Sequence, residues 1–137
     1  MMNENLQTKM MQYEYLNQQI QALQQHLNEI LKASDELSIL KVGLKNLIEA
    51  KSGDELLVPM GASSYVPAKI IDPQKVVVSV GAGVFMDKSV EDSMPIVDKQ
   101  MGELKKQEEV IMNNLTLLSK ESEKLATELN SAMAPGK

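Results

Sequence analysis

The residues of this sequence that come nearest to a chemical motif are the glycines of VVVSVGAGVFMDKS, at positions 76–89. A valine-rich strand before a glycine-rich turn is how many phosphate-binding loops begin. Here Gly81-Ala82-Gly83 supplies only G-x-G, since Met86 stands where a dinucleotide motif needs glycine or alanine. The following residues predict a strand, not the helix that would hold a phosphate. We therefore interpret this segment as a hairpin turn.

The other residues with chemical potential do not converge on a recognisable site. His26 is the only histidine, and the heptad pattern below places it on a solvated helix flank without cysteine or a second histidine. The acidic pairs Asp54-Glu55, Glu91-Asp92 and Glu108-Glu109 lie at hairpin shoulders or on a helix flank, whereas catalytic carboxylates converge in a dry cleft. No base is placed to activate a serine. The sequence predicts no enzyme, no cofactor and no metal site.

Composition argues against further classes of function. The formal net charge is -5, and all 14 cations are lysines, so the arginine fork that reads phosphate or guanine is missing. We therefore expect no nucleic-acid partner. The longest nearly apolar stretch, 76–86, is far shorter than the ~20 residues that span a bilayer, and the polar start MMNENLQTKMMQYEY lacks the core of a signal peptide. We expect a soluble, cytoplasmic protein without a membrane partner.

Residues 1–50 predict a long helix with a coiled-coil seam. The segment lacks proline and is rich in Gln, Leu, Glu and Lys. Ten of its thirteen a and d heptad positions are apolar, and the seven-residue repeat persists to the end of the segment. The a positions are Leu6, Tyr13, Ile20, Leu27, Ser34, Lys41 and Ile48, and the d positions are Lys9, Leu16, Leu23, Ile30, Leu37 and Leu44.

Residues 93–133 predict a second helix of the same kind, followed by a flexible tail at 134–137. Two starts are marked, at Ser89 with an acidic residue three positions on, and at Ser93. We prefer the later start, or a short kinked turn before it, because Pro95 would disrupt a helix already under way. Ten of the twelve seam positions are apolar: Met94, Met101, Glu108, Leu115, Ser122 and Leu129 at a, and Val97, Leu104, Ile111, Leu118, Leu125 and Ala132 at d.

Between the helices, in residues 54–88, the spacing of apolar residues changes from 3.5 to 2. This spacing predicts two β-hairpins. Four β-branched runs, ELLVPMG, SYVPAKII, KVVVSVG and VFMDK, are separated by turn residues. Pro59 and Pro67 cannot donate ladder hydrogen bonds, so their strands should lie at edges or near strand ends. The predicted fold class is α+β: a long antiparallel α-helical coiled-coil hairpin with two β-hairpins inserted between the helices.

If the strands return the chain to its point of entry, the two helices must pack antiparallel. Pairing Ile48 with Val97 gives one register, in which Lys41 lies opposite Leu104 and in a layer adjacent to Glu108, with which it could pair. Both chain ends then lie together. The two hairpins have open edges and too little apolar backing to stand alone, so we expect partner subunits at the strands.

The candidate binding residues are apolar side chains near the two chain ends, set among Gln and Asn. Ragged helix ends are the plainer interpretation of any one of them, but as a set they form a soft patch suited to exposed apolar chain. The set comprises Met2, Leu6, Met10, Met11, Tyr13, Tyr15, Leu129 and Met133. Nearer the strands, four apolar residues off the seam are expected to pack on the β body or on a neighbouring subunit: Ile39, Leu40, Val42 and Leu47.

This arrangement resembles the prefoldin family, co-chaperones of archaea and eukaryotes, and within it the archaeal α-type subunit. The resemblance is carried by LLVPMGASSYVPAKI (56–70) and VVVSVGAGVFMDKSVEDS (76–93), in which L-V-P-x-G and V-S-V-G-A-G stand where the α-type family keeps them. Two hairpins distinguish the α type from the β type, which has one. The resemblance covers the whole chain, although the helices add little specificity to it.

The resemblance implies a hexamer of two α and four β subunits, whose strands join into an oligomeric double β-barrel carrying six coiled coils. The helix ends, about 1–16 and 128–137, would hold unfolded client proteins without ATP and deliver them to a group II chaperonin. The strands would supply the oligomerisation body through Leu57, Val58, Val66, Ile70, Val76, Val78, Val80 and Val84.

A function of a different class stays open at this point. A structural coiled-coil protein that self-assembles through its β segment, into filaments or a scaffold, would show the same heptads. The two alternatives differ in whether the strands pair with a different subunit or with another copy of the same chain.

Overall fold

The computed structural model of this chain describes residues 4–133, with the side chains of Glu4 and Val80 outside the described part. Met2 and the tail predicted at 134–137 therefore lie outside the described residues. The predicted fold class is confirmed: two long helices have two antiparallel β-hairpins between them. The elements are α1 (Glu4–Glu49), β1 (Glu55–Gly61), β2 (Ser64–Lys69), β3 (Lys75–Gly81), β4 (Val84–Ser89) and α2 (Val90–Met133).

The chain divides into two compact units, each described by itself. Residues 1–34 and 103–137 form the first, called here the helix-end unit, and residues 35–102 form the second, the hairpin unit. Parts of α1 and α2 belong to both units.

In the helix-end unit, the two helices run antiparallel with their predicted seam buried. Ile30, Ile111 and Leu129 are buried, and all three are a or d positions. The direction follows from two contacts, because Lys9 Nζ lies 3.2 Å from Glu128 Oε2 while Ser122 Oγ donates to Asn17 Oδ1 at 3.0 Å. Ser122 is itself buried, so its hydroxyl needs this acceptor.

The hairpin unit has a small core of its own around Leu44, which is only 1% exposed. Val90 and Val97 of α2 complete this core. Five half-buried side chains pack around it: Leu37, Leu47, Val76, Met94 and Met101. Because Val76 is part of this set, the second hairpin contacts the helices, which anchors it to the rest of the unit.

The predicted coiled-coil register was wrong by between one and two helical turns. Lys41 Nζ lies 2.7 Å from Asp98 Oδ1, although the prediction placed Lys41 opposite Leu104 and beside Glu108. Likewise Ile48, the predicted partner of Val97, is 61% exposed. In a straight α-helix, residues seven apart are offset by ~20° around the axis, so a seam with an exact 3.5-residue repeat moves gradually around the helix. At the end of α1, Leu47 packs on the core in place of the predicted Ile48.

The start of α2 also differs from the prediction. The helix begins at Val90 and not at the preferred Ser93, because Ser89 caps it: the Asp92 amide donates to Ser89 Oγ at 3.0 Å. Ser93 Oγ also donates to the Ser89 carbonyl, at 2.8 Å. Pro95 lies inside the first two turns of this helix, where it lacks a backbone donor. The helix therefore starts earlier than predicted, and its early residues meet α1.

The four strands form two separate two-stranded antiparallel sheets among residues 4–133. Hairpin 1 pairs β1 with β2, and hairpin 2 pairs β3 with β4. Ala62 and Ser63 make the first turn with φ of 49° and 59°, and Ala82 and Gly83 make the second with φ of 51° and 74°. Positive φ at both central residues is the turn geometry that matches the twist of two hairpin strands.

Candidate functional site

The Gly81-Ala82-Gly83 segment is a turn between two antiparallel strands, as predicted. The residues after it form β4, so no helix N-terminus stands behind these glycines to receive a phosphate. His26 is exposed on α1. Within residues 4–133, no three or more His, Asp or Glu side chains are grouped so that they could hold a metal ion.

The predicted binding residues of the helix-end unit differ in their accessibility. Met11, Tyr15 and Met133 are 71%, 61% and 60% exposed. Leu6, Met10 and Tyr13 are half-buried, and Leu129 is buried in the seam between the helices. Met2 lies outside the described residues. The structure thus separates the predicted set into exposed side chains and side chains that are partly or wholly buried.

A shallow groove of 390 Å³ lies along the helix-end unit, where α1 and α2 meet. Tyr15 and Leu16 contribute apolar surface from α1, and Leu125 contributes it from α2. Lys9, Gln12, Glu121, Lys124 and Glu128 supply polar groups around it. The Lys9–Glu128 ion pair is part of this wall, so charges of both signs surround the apolar floor. Such a surface suits side chains of many kinds and has no geometry for one specific ligand.

Sequence reasoning did not name several further exposed apolar residues of this unit that lie away from the helix ends, among them Val110 and Leu117. Val110 and Leu117 are 58% and 63% exposed on α2. They stand seven residues apart on one helix face, at the c position of the predicted heptads, where a polar residue is expected. Two apolar residues at the same heptad position away from the seam were the sequence signal for this exposed surface.

The predicted oligomerisation residues divide in the same way. Leu57, Val58, Val66 and Val84 are exposed, whereas Ile70, Val76 and Val78 are half-buried. The side chain of Val80 lies outside the described part. The prediction left out further exposed apolar residues of the strands: Leu56, Met60, Tyr65, Val77, Phe85 and Met86. Both faces of each hairpin carry apolar side chains. Selecting every second residue of a strand therefore identifies only one of the two apolar faces.

The four off-seam residues near the strands also differ. Ile39, Leu40 and Val42 are exposed, and Leu47 packs on the core of the hairpin unit. In the described part of the chain, neither helix is long and apolar enough to cross a membrane.

Comparison with known families places this geometry in context. A family model described as prefoldin subunit matches residues 16–134. Prefoldin subunit alpha of Methanococcus vannielii is 33% identical over 135 residues, which cover 97% of this chain and 89% of that protein. Prefoldin subunit alpha 1 of Thermococcus kodakarensis is 37% identical over 92 residues, covering 67% of this chain and 63% of that protein.

Two solved structures share the fold. Filamentous prefoldin from Methanocaldococcus jannaschii, determined by cryo-electron microscopy, superposes with a TM-score of 0.65 at 23% identity over 89% of this chain and 98% of the other. The prefoldin beta subunit from Thermococcus strain KS-1 superposes with a TM-score of 0.64 at 12% identity over 98% and 96%. At these identities the likeness concerns the fold alone.

Proposed function

Since the chain belongs to the prefoldin family, we propose that it is the α-type subunit of an ATP-independent holding chaperone. It assembles with β-type subunits, two α with four β, through its strands. Its helix ends capture unfolded proteins, and the complex delivers them to a group II chaperonin in the cytoplasm.

The exposure of Met11, Tyr15 and Met133 in the helix-end unit carries the proposal for holding. The backbone of this unit is already hydrogen-bonded within α1 and α2, so a client can be bound only through side chains. Methionine is unbranched and polarisable, and tyrosine combines an apolar ring with a polar tip. Such side chains accept apolar segments of varied shape.

The expected energies fit reversible holding. Full burial of one such side chain contributes roughly 1.5–3 kcal/mol, and partial burial contributes less. One helix end therefore binds a client weakly. Six coiled coils acting on one unfolded chain raise the overall affinity through effective concentration. Each contact can still open separately, which lets a competing chaperonin take the client without nucleotide hydrolysis.

The strands support the proposal for assembly. Every residue of β1 is exposed, and so are most residues of the other three strands. An isolated two-stranded hairpin is marginally stable in water, and its open edges invite further strands. Partner subunits would supply the missing strands and cover the apolar side chains.

The proposal can be tested with a triple variant, Met11→Ser, Tyr15→Ser and Met133→Ser, assembled with a β-type subunit. We expect a hexamer of unchanged mass by size-exclusion chromatography with light scattering, and weaker suppression of aggregation of a chemically unfolded test protein. Val110→Ser with Leu117→Ser is the matched control, because these side chains are as exposed in the same unit. Equal holding by wild type and triple variant would contradict the assigned residues, and loss of the hexamer would make them structural.

A second candidate function is a self-assembling filament. The open strand edges favour it, and a filamentous prefoldin shares the fold. The purified chain without β-type subunits, examined by light scattering and negative-stain microscopy, separates the two. Long homopolymers from the chain alone favour the filament, and small species that become hexamers when the β-type subunit is added favour the chaperone.

A further inference from the structure

Sulfur occurs in this chain only as the thioether of methionine. The sequence has ten methionines and no cysteine. A methionine thioether is oxidised to a sulfoxide, and specific reductases restore it. Reversible oxidation of a side-chain sulfur in this protein can therefore take place only at methionine, and the surroundings of each methionine decide what that oxidation does.

The methionines of the described residues differ in their accessibility. In the hairpin unit, Met94 and Met101 are half-buried and pack on the core around Leu44. In the helix-end unit, Met11 and Met133 are 71% and 60% exposed. An oxidant in solution therefore reaches Met11 and Met133 more readily than it reaches the two core methionines.

Met11 and Met133 are also the methionines at which a change in polarity affects binding. Together with Tyr15 they are the exposed members of the candidate binding set. Neither occupies an a or d position of the heptads, so neither belongs to the seam between the helices. A modification of these two side chains therefore alters the binding surface and leaves the packing of α1 on α2 in place.

Other exposed methionines lie outside the candidate binding set. Met60 and Met86 are exposed on β1 and β4, which the proposed assembly would cover. Met112 is 50% exposed on α2, in the same unit as Met11 and Met133. Met112 is therefore a matched comparison, since an oxidant reaches it without altering the candidate binding residues.

The modification needs only a peroxide as the second reactant. The methionine sulfur attacks one oxygen of hydrogen peroxide with a lone pair, the O–O bond breaks and an S–O bond forms. The other oxygen leaves as hydroxide and takes the proton of the transferred hydroxyl, which makes water. The sulfur loses two electrons and the peroxide gains them, so the products are one sulfoxide and one water molecule.

The sulfoxide changes what the helix-end unit can bind. Oxidation converts a flexible apolar side chain into a polar, chiral one. Burying the S–O group against an apolar client segment costs free energy, because the segment offers it no hydrogen-bond donor. The amides of α1 and α2 stay bonded within their helices, so the loss concerns binding and not folding.

We propose that Met11 and Met133 are sites of reversible oxidation by peroxide, and that their sulfoxides lower the affinity of the helix-end unit for unfolded protein. This inference rests on the proposed holding function and names a chemical control of the same surface. Reduction of the sulfoxides restores the thioethers and with them the apolar surface.

The test compares three hexamers that contain the same β-type subunit. They carry the wild-type chain, a chain with Met11→Leu and Met133→Leu, or a chain with Met112→Leu. Leucine has a volume similar to that of methionine and no sulfur to oxidise. Each hexamer is treated with hydrogen peroxide, the reaction is quenched with free methionine, and peptide mass spectrometry gives the oxidised fraction at each methionine.

Binding is measured by fluorescence anisotropy with a dye-labelled test protein that is kept unfolded by alkylation of its cysteines. Each hexamer is compared with itself before treatment, so that oxidation of the common β-type subunit affects all three alike. We expect peroxide to weaken binding about fivefold more for the wild-type hexamer than for the double variant, because two apolar contacts are lost. The Met112→Leu hexamer should lose as much as wild type.

Two further measurements separate a switch from damage. The mass of the oxidised hexamer by light scattering should be unchanged. Treatment with both methionine sulfoxide reductases and dithiothreitol should restore binding, and both enzymes are needed because each reduces one sulfoxide epimer. Dissociation of the hexamer, or a loss that the reductases do not reverse, would overturn the proposal.

The proposal is also overturned if peroxide weakens the wild-type and double-variant hexamers equally, or if Met94 and Met101 are oxidised as fast as Met11 and Met133. Protection by Met112→Leu equal to that of the double variant would assign the effect to a different surface. Failure of the proposed function has another signature, since the untreated wild-type hexamer would then not bind the unfolded test protein.

Discussion

The helix-end unit and the hairpin unit both expose large apolar side chains, but they differ in what their backbones leave unsatisfied. In the helix-end unit, Met11 and Tyr15 project from a helix whose amides are bonded within the chain. In the hairpin unit, Leu57 and Phe85 project from two-stranded sheets, and each sheet has open edges within the described residues. Similar exposure therefore has different consequences.

The difference separates non-directional from directional binding. A helical surface attracts apolar groups in almost any orientation, because the hydrophobic effect depends on area and not on direction. A strand edge demands a partner at one spacing and in one of two directions. The helix-end unit therefore suits apolar groups of varied shape, and the hairpin unit suits an extended strand.

The largest expected effect tests whether the hairpin unit has a core that is its own. Leu44→Ala should cost about 2–5 kcal/mol, since Leu44 is buried against Val90 and Val97 and its loss leaves a cavity. Thermal unfolding followed by circular dichroism measures it. Ile48→Ala, one turn away but exposed, should change stability by about 0.5 kcal/mol or less. Similar losses in the two variants would mean that Leu44 does not organise this unit.

The next prediction compares the two hairpins through their turns. Ser63 has a φ of 59°, in the left-handed region, where the equivalent residue of hairpin 2 is Gly83. Ser63→Gly should stabilise the chain by about 1 kcal/mol, and Gly83→Ser should destabilise it by a similar amount, because a Cβ is strained at positive φ. Denaturant titration of both variants tests this. Changes of the same sign would show that turn strain is not what distinguishes the hairpins.

A smaller effect is expected at the polar layer of the helix-end unit. Ser122→Ala removes the hydrogen bond to Asn17 and should cost about 0.5–1.5 kcal/mol. The exposed Ser119, substituted by alanine, is the control for helix propensity. Guanidinium titrations measure the free energy of unfolding of both variants. If the two variants are equally stable, the Ser122–Asn17 hydrogen bond does not contribute to stability.

The smallest effect should be equal in the two units. Asp98→Asn and Glu128→Gln each remove one partly exposed ion pair, with Lys41 and with Lys9, and each should cost less than about 1 kcal/mol. Raising the salt concentration should shrink both differences, because exposed charges are screened. Melting temperatures in low and high salt check this. A loss of several kcal/mol from either substitution would assign that pair a structural role.

The buried seam could be predicted from the sequence because its period is set by backbone geometry. Ile30, Leu44, Val97, Ile111 and Leu129 all fall at predicted a or d positions and are all buried. The register between the helices could not be predicted in this way. It depends on contacts between residues that are distant in sequence, such as the 2.7 Å ion pair between Lys41 and Asp98, and the heptad pattern does not specify them.

The candidate sites were predicted less completely. Met11, Tyr15 and Met133 were named and are exposed, while Leu129 was named and is buried, because it occupies a seam position. The repeat of the two hairpins was visible as Gly61-Ala62 and Gly81-Ala82, twenty residues apart, but was not recognised.

Apolar residues repeat every 3.5 residues in the two helical segments and every 2 residues in the segment between them. These repeats depend only on residues close together in the sequence. The sequence alone therefore determined the helices, the hairpins and which residues form the seam. Family membership followed from the same local patterns. The tertiary structure decided which seam residues meet and which apolar side chains remain exposed. Those properties depend on contacts between residues distant in sequence, such as Lys41 with Asp98 and Val76 with the Leu44 core, and no local period specifies them.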